Sequence, residues 1–258
     1  MVRLIVHMFR GLYICARHFP RHDEAWQART ISRWSRQLLL ILGIRVHPID
    51  RPSEWPPVCV LVTNHISWID PFVILAEAPA VLVAKAEIRG WPLIGRLVAQ
   101  VGTLFIERAK KSHARITNER IVQTIKRGRV IVFFPEGTTT EGDRLLKFHG
   151  ALFQPSIDAA ATIVPATIRY RDQHGARSNA PAYVNEISLL KSVWSIVSEP
   201  HMTVDLTFGS TVNAAEYDRR TLAVLLHGAM SASLGFSDPA TDPRPVPETP
   251  RDHQAVTP

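Results

Sequence analysis

His65 and Asp70 are two ionisable residues placed for proton transfer. They lie in the stretch Thr63-Asn64-His65-Ile66-Ser67-Trp68-Ile69-Asp70-Pro71, with four residues between them. Histidine exchanges a proton near neutral pH, and a carboxylate on one ring nitrogen fixes the tautomer and strengthens the other nitrogen as a base. The apolar run Val58-Cys59-Val60-Leu61-Val62 just before them reads as a buried strand. His65 therefore stands at a strand's carboxyl end, where open α/β sheets bind their ligands. Five positions along an unbroken helix rotate a side chain by about 140°, so the two meet only if the chain bends between them. Ser67-Trp68-Ile69-Asp70 supplies a bend, with capping-box spacing that predicts Ser67 as N-cap and Asp70 at the third helical position. Pro71 is tolerated in a first helical turn. A plainer reading, in which Asp70 only caps a helix and His65 is a loop histidine, stays open on these residues.

Three more segments carry chemistry. Gly102-Thr103-Leu104-Phe105-Ile106-Glu107-Arg108 reads as a strand ending in a charged pair, and the planar fork of Arg108 suits a phosphate. Val130 to Phe134 is an apolar strand that stops at Pro135, which cannot donate to a ladder. Glu136, Gly137 and Thr138 follow in a polar loop, where a carboxylate and backbone amides suit an acceptor alcohol. Thr162 to Ile168 is a strand with an internal proline, Pro165, which marks an edge or an interrupted ladder.

The elements that position these residues alternate from about residue 48 onward. Strands are predicted at 58–63, 80–84, 101–106, 129–134, 162–168 and 202–208, and helices at 68–77, 92–100, 112–127, 149–160 and 214–234. That alternation predicts an α/β fold. Lys126-Arg127-Gly128 has the charge and the glycine of a helix end. The N-terminus is amphipathic. Leu4, Ile5, Met8, Phe9, Leu12, Ala16 and Phe19 share a helical face opposite Arg3, Arg10 and Arg17. Ile31, Trp34, Leu38, Ile41 and Leu42 oppose Arg29, Arg33 and Arg36 in a second segment. Such helices suit an anionic membrane interface, or they pack on the protein's own core, or both. No apolar run reaches the ~18 residues of a clear membrane span, and the arginines argue against a signal peptide. From about Ser237 the chain turns proline-rich and reads as a disordered tail. The expected organisation is an N-terminal membrane-associating unit at 1–47, an α/β domain at 48–236 and a tail at 237–258.

Composition narrows the partners. Lys and Arg outnumber Asp and Glu by 30 to 23 in 258 residues, a formal charge of +7, which favours anionic ligands or an anionic membrane. There is no Walker or dinucleotide phosphate loop and no nucleic-acid-binding motif, so nucleic acid is not expected as a partner. Two cysteines, Cys15 and Cys59, make neither a disulfide framework nor a cysteine zinc site, in keeping with a reducing cytosol.

Taken together, the four segments resemble the blocks of the glycerolipid acyltransferases, whose best-known members are the 1-acylglycerol-3-phosphate (lysophosphatidic acid) acyltransferases. Asn64, His65 and Asp70 match the first block, Arg108 the second, Phe134 to Thr138 the third and Val164-Pro165 the fourth, in family order across about residues 58–168. The resemblance implies a mixed, mostly parallel central sheet flanked by helices, with an amphipathic N-terminal membrane motif. It implies His65 as general base, Asp70 as its orienting acid, and Arg108, Glu136, Gly137 and Thr138 as the residues that hold the acceptor. Lys147-Phe148-His149-Gly150 reverses the first pair of the Phe-Lys-x-Gly segment that often follows the third block, which weakens any basic contact from Lys147. The implied reaction moves a fatty acyl group from acyl-CoA or acyl carrier protein to the hydroxyl of a lysophospholipid, with no metal, no further cofactor and no covalent intermediate. Ser67, the obvious nucleophile for a covalent route, is better explained as a cap. The implied place is the cytoplasmic face of a bacterial inner membrane, peripheral or monotopic. The alternatives are a different acceptor, such as a lyso-ornithine lipid, and a non-catalytic membrane-binding protein on the same scaffold. A His/Asp metal site is a poor third, because no second histidine stands at ligand spacing.

Overall fold

The computed structural model of the chain describes residues 2–91, 94–106, 111–184 and 187–236. Its centre is one eight-stranded sheet. The strands are β1 (Ile44–Ile49), β2 (Cys59–Thr63), β3 (Ala80–Lys85), β4 (Leu104–Ile106), β5 (Val130–Phe133), β6 (Thr162–Arg171), β7 (Met202–Phe208) and β8 (Val212–Asn213). Their order is β1-β7-β6-β2-β5-β3-β4, with β8 also on β6. β6 runs antiparallel to β7 and β8, and every other pair is parallel. This is the mixed, mostly parallel sheet that was expected. β2 and β5 lie at its centre, and each of their residues is buried. That burial is why they read as continuous apolar runs rather than as alternating strands.

The helices are α1 (Val2–Arg17), α2 (Glu24–Ile41), α3 (Asp70–Glu77), α4 (Ile94–Gln100), α5 (Lys111–Lys126), α6 (Gln154–Asp158), α7 (Leu189–Ser198) and α8 (Arg219–Leu234). They form two cores. One gathers Met8, Leu38, Val73, Leu97 and Ile196 from α1, α2, α3, α4 and α7. The other gathers Ile121, Ile125, Leu222 and Leu226 from α5 and α8. Gly128, at φ 78°, ends α5 as its sequence context predicts.

Several elements differ from expectation. β1 and α7 were not foreseen, and β1 spans the boundary drawn at 47/48. Pro48 sits within β1, which is tolerable because β1 is the outermost strand beside β7. The helix expected at 149–160 is a 3-10 turn over Gly150–Phe153 followed by the short α6. That expected at 214–234 begins only at Arg219, because Asp218 accepts the Arg220 and Thr221 N–H groups as N-cap. Pro165 lies in a central strand rather than at an edge. Its ladder is interrupted on one side, where β7 ends and β8 has not begun, and there its carbonyl takes the Gly209 N–H at 2.8 Å. The missing proline donor falls in that gap. The segment 237–258 lies outside the described residues.

The N-terminal stripe divides. Met8, Gly11, Cys15 and Phe19 are buried, while Ile5 and Phe9 are exposed together with Val2, Val6 and Tyr13. The reason is a lock between α1 and α2. His7 Nε2 donates to the Trp34 carbonyl at 3.0 Å, Trp34 Nε1 donates to the His7 carbonyl at 3.2 Å, and the rings stack at 4.5 Å. A Cβ at Gly11 would lie 2.7 Å from Trp34 Nε1, so the crossing needs glycine there. No helix among the described residues is long and apolar enough to cross a membrane.

Candidate active site

Because β2, β5, β3 and β4 are parallel neighbours, their carboxyl ends open on one edge of the sheet. His65 follows β2 and Glu136 follows β5. Arg108 lies outside the described residues, two positions past the end of β4.

His65 is held at every polar atom it can spare. Asp70 Oδ2 accepts from its Nδ1 at 2.8 Å. A carboxylate only accepts, so Nδ1 carries the hydrogen and Nε2 keeps its lone pair. The His65 N–H donates to Glu136 Oε1 at 2.8 Å, and its carbonyl accepts the Thr140 N–H at 2.9 Å. Its ring stacks on Phe134 at 4.2 Å. The side chain is still 21% exposed, while that of Asp70 is 0% exposed. A partly exposed imidazole with a free Nε2 lone pair, paired with a carboxylate sealed from water, is an arrangement that can accept a proton.

The bend between the two differs in detail from a capping box. α3 begins at Asp70 itself, and Ile69 precedes it as N-cap without a side-chain cap bond. Asp70 Oδ2 also accepts the Ile66 and Ser67 N–H groups at 2.6 and 2.8 Å. The acid half of the predicted box is therefore present. The serine half is not: the Asp70 N–H goes to the Ser67 carbonyl at 3.1 Å, and the Ser67 hydroxyl lies 3.4 Å from the Ile69 N–H. The remaining oxygen, Asp70 Oδ1, accepts from the Tyr170 hydroxyl at 2.6 Å.

The third-block loop grips the histidine. Phe134, Pro135, Glu136 and Gly137 form a turn closed by the Gly137 N–H on the Phe134 carbonyl at 3.1 Å, and Gly137 has φ 71°. Glu136 is 2% exposed. Its second oxygen accepts the Leu146 N–H at 2.9 Å, so both oxygens meet backbone amides. Glu136 and Gly137, expected to hold the acceptor, also tie this loop together through the His65 and Leu146 amides and the Phe134 carbonyl. Thr138 is half-buried in the same loop. Thr139 donates to the Tyr183 carbonyl, and the Tyr183 N–H donates to the Ile66 carbonyl at 2.9 Å. Farther along, Lys147 is exposed and Phe148 is buried. The reversed pair thus sends the aromatic into the core and the cation out.

Sequence reasoning missed Asn64's partner, Phe134 as the ring's support, and Tyr170. It also passed over Lys85, exposed at the end of β3 and in register with Ile106. A lysine closing an apolar strand was the signal there.

Burial pushes the Glu136 carboxyl up from an ordinary 4.5 to about 8. The Leu146 and His65 N–H groups pull it back, and the Asp70 charge adds to the rise. The unfolded chain releases this proton near 4.5, and the folded protein keeps it until about 8. The stability it contributes is complete below 4.5 and disappears as pH rises through 8. Glu136→Gln cannot ionise. The melting temperature of the variant should therefore gain on that of the parent as pH rises across this window, and a constant gap in calorimetry at several pH values would contradict the assignment.

The sequence profile of the acyltransferase family matches residues 44–169, from β1 to near the end of β6. A 1-acyl-sn-glycerol-3-phosphate acyltransferase of Neisseria meningitidis serogroup B is 36% identical over 193 residues, 74% of this chain and 75% of the relative. A lyso-ornithine lipid O-acyltransferase of Pseudomonas aeruginosa is 35% identical over 216 residues, 83% of this chain and 82% of the relative. The crystal structure of the 1-acyl-sn-glycerophosphate acyltransferase of Thermotoga maritima shares the fold, with a TM-score of 0.61 at 16% identity over 91% of this chain and 95% of that one. Spacing, strand-end geometry and likeness to relatives agree, and the chain belongs to the acyltransferase family that includes the bacterial 1-acyl-sn-glycerol-3-phosphate acyltransferases.

Proposed function

We propose that the protein transfers a fatty acyl group from a thioester, acyl-CoA or acyl carrier protein, to the free hydroxyl of a lysophospholipid, with 1-acylglycerol-3-phosphate as acceptor and phosphatidic acid as product. The observation that carries this reading is the His65 Nδ1–Asp70 Oδ2 bond of 2.8 Å on a ring that is still partly exposed. His65 Nε2 takes the hydroxyl proton as the acceptor oxygen attacks the thioester carbon. The Asp70 carboxylate stabilises the imidazolium. The carbon–sulfur bond then breaks, the acyl ester is formed, and the thiolate leaves and takes the proton. A thiolate is a good leaving group, so no second strong acid is needed.

A purified-protein assay with a panel of lysolipids and both thioester donors tests the reading. A positioned general base is worth about 10²–10⁴ in rate. His65→Ala should lose activity on that scale with an unchanged circular dichroism spectrum, and near-normal turnover would rule out the base. The lyso-ornithine lipid relative favours one second acceptor, which belongs in the same panel.

Arg108 is assigned to the acceptor's anionic head, because a planar guanidinium binds phosphate or carboxylate through two parallel hydrogen bonds. Arg108→Ala should raise the KM for the lysolipid far more than that for the thioester. A change confined to the donor's KM would move Arg108 to the carrier site.

The exposed face of α1 is assigned to the cytoplasmic membrane surface. Val2, Ile5, Val6, Phe9 and Tyr13 offer apolar area, and the exposed Arg3, Arg10 and Arg17 add attraction to anionic lipid of about 1 kcal/mol each. An apolar cavity of about 30 Å³ lies between α1, α2, α3 and α4, with Ile14, Cys15, Trp34, Phe72 and Leu97 in its wall. Val6→Glu with Phe9→Glu leaves the buried face intact. It should cut the fraction of protein that floats with anionic liposomes, whereas high salt should release only part of the unaltered protein. Equal flotation of the two proteins would put the membrane contact elsewhere.

A further inference from the structure

We propose that Tyr170 is a positioning residue for the acyl transfer, its hydroxyl holding Asp70 Oδ1 and thereby setting both the aim and the basicity of His65. The inference rests on the reading of His65 as general base. Asp70 is 0% exposed, and the donors to its two oxygens are unevenly shared. Oδ2 takes His65 Nδ1 and the Ile66 and Ser67 amides, whereas Tyr170 serves Oδ1. At 2.6 Å the phenol bond has the length of a charge-assisted O–H···O⁻ contact. Tyr170 is itself buried, and burial together with the Asp70 charge raises its pKa well above 10, so the hydroxyl remains a donor at every working pH.

The backbone around Tyr170 is fixed with the same care. The β2–β6 ladder ends at Thr63 opposite Ala166. Asn64 then supplies the next rung with its side chain: Nδ2 donates to the Ile168 carbonyl at 3.0 Å, and Oδ1 accepts the Ile168 N–H at 2.7 Å. Ile168 and Tyr170 point to the same side of β6, the side on which α3 packs. Asn64, Ile168, Tyr170, Asp70 and His65 thus close a ring of contacts around the base. Among the described residues, the ionisable groups in contact with His65 and Asp70 are Tyr170 from β6 and Glu136 from the loop after β5. Glu136 keeps its backbone partners in any Tyr170 variant, so its effect is constant across the series.

Tyr170→Phe keeps the ring and removes the donor. A hydrogen bond to a charged group is worth roughly 10- to 100-fold, so kcat should fall on that scale with little change in the lysolipid KM. The acidic limb of the kcat profile should move to higher pH, because a carboxylate with one donor fewer holds the imidazolium more tightly. In a His65→Ala background the same change should add no further loss. Replacing Tyr170 with 3-fluorotyrosine, which is isosteric and a stronger donor, should move the acidic limb to lower pH and settles the matter even where Tyr170→Phe does not fold. Unchanged kcat and pH profile in Tyr170→Phe, an equal loss in the His65→Ala background, or no shift with 3-fluorotyrosine would each overturn the proposal. Full activity of His65→Ala itself would instead overturn the general-base reading on which it rests.

Discussion

The Asp70 carboxylate, wholly removed from water, is the constraint on which the site depends. An unpaired buried charge costs several kcal/mol, so such a group persists only when donors surround it. Asp70 has four: His65 Nδ1, the Ile66 and Ser67 amides and the Tyr170 hydroxyl. The two amides reach Oδ2 only if the chain folds back over the start of α3. That fold-back is also what turns the His65 ring toward its acid. Asp70 stands at the first residue of α3, where unpaired backbone N–H groups and the helix dipole favour a negative charge. Loop shape, helix start and histidine orientation therefore answer one electrostatic demand.

Glu136, the second buried acid, behaves differently because its surroundings do. Among the described residues it meets two backbone amides and no cation, and burial raises its pKa to about 8. Glu136 serves by geometry: one oxygen on the His65 amide and the other on Leu146 tie the first block to the third. Gly142 lets the same loop close down, since a Cβ there would come within 2.8 Å of Ile66 Cδ1.

The parts of this site that sequence conveys are the local ones. The His65–Asp70 pair could be read because spacing and a strand end dictate a bend. Ser67 was given too large a role because pattern cannot tell a side-chain cap from the backbone bond that Asp70 makes to the Ser67 carbonyl. β1 was hidden by Pro48, which only an edge position excuses. α7 was legible in principle: Ser188 caps it, and Val193 and Ile196 lie at helical spacing on its buried side. Tyr170 was not legible. Its partner lies 100 residues away, and the contact requires β6 to run past Ile168 to Arg171. The Asn64 rung is equally nonlocal, a match between a side-chain amide and a strand 104 residues on.

Amphipathic pattern in α1 is a third kind of case, where sequence gives the apolar residues but not what covers them. A surface helix of a globular protein buries one stripe. α1 buries Met8, Gly11 and Cys15 against α2 and the core, yet it still exposes Ile5, Val6, Phe9 and Tyr13. The inner contact is rigid, with reciprocal hydrogen bonds and stacking between His7 and Trp34. Trp34 in turn lies 5.8 Å from Phe72, two residues beyond Asp70 on α3. A bilayer seated on the outer face of α1, as proposed, would rest on a packed row of three rings, His7, Trp34 and Phe72, that ends on α3 two residues past Asp70. The acceptor's depth relative to His65 would then be set by the fold itself, so a lysolipid anchored by its chain would bring its hydroxyl to the base without leaving the membrane.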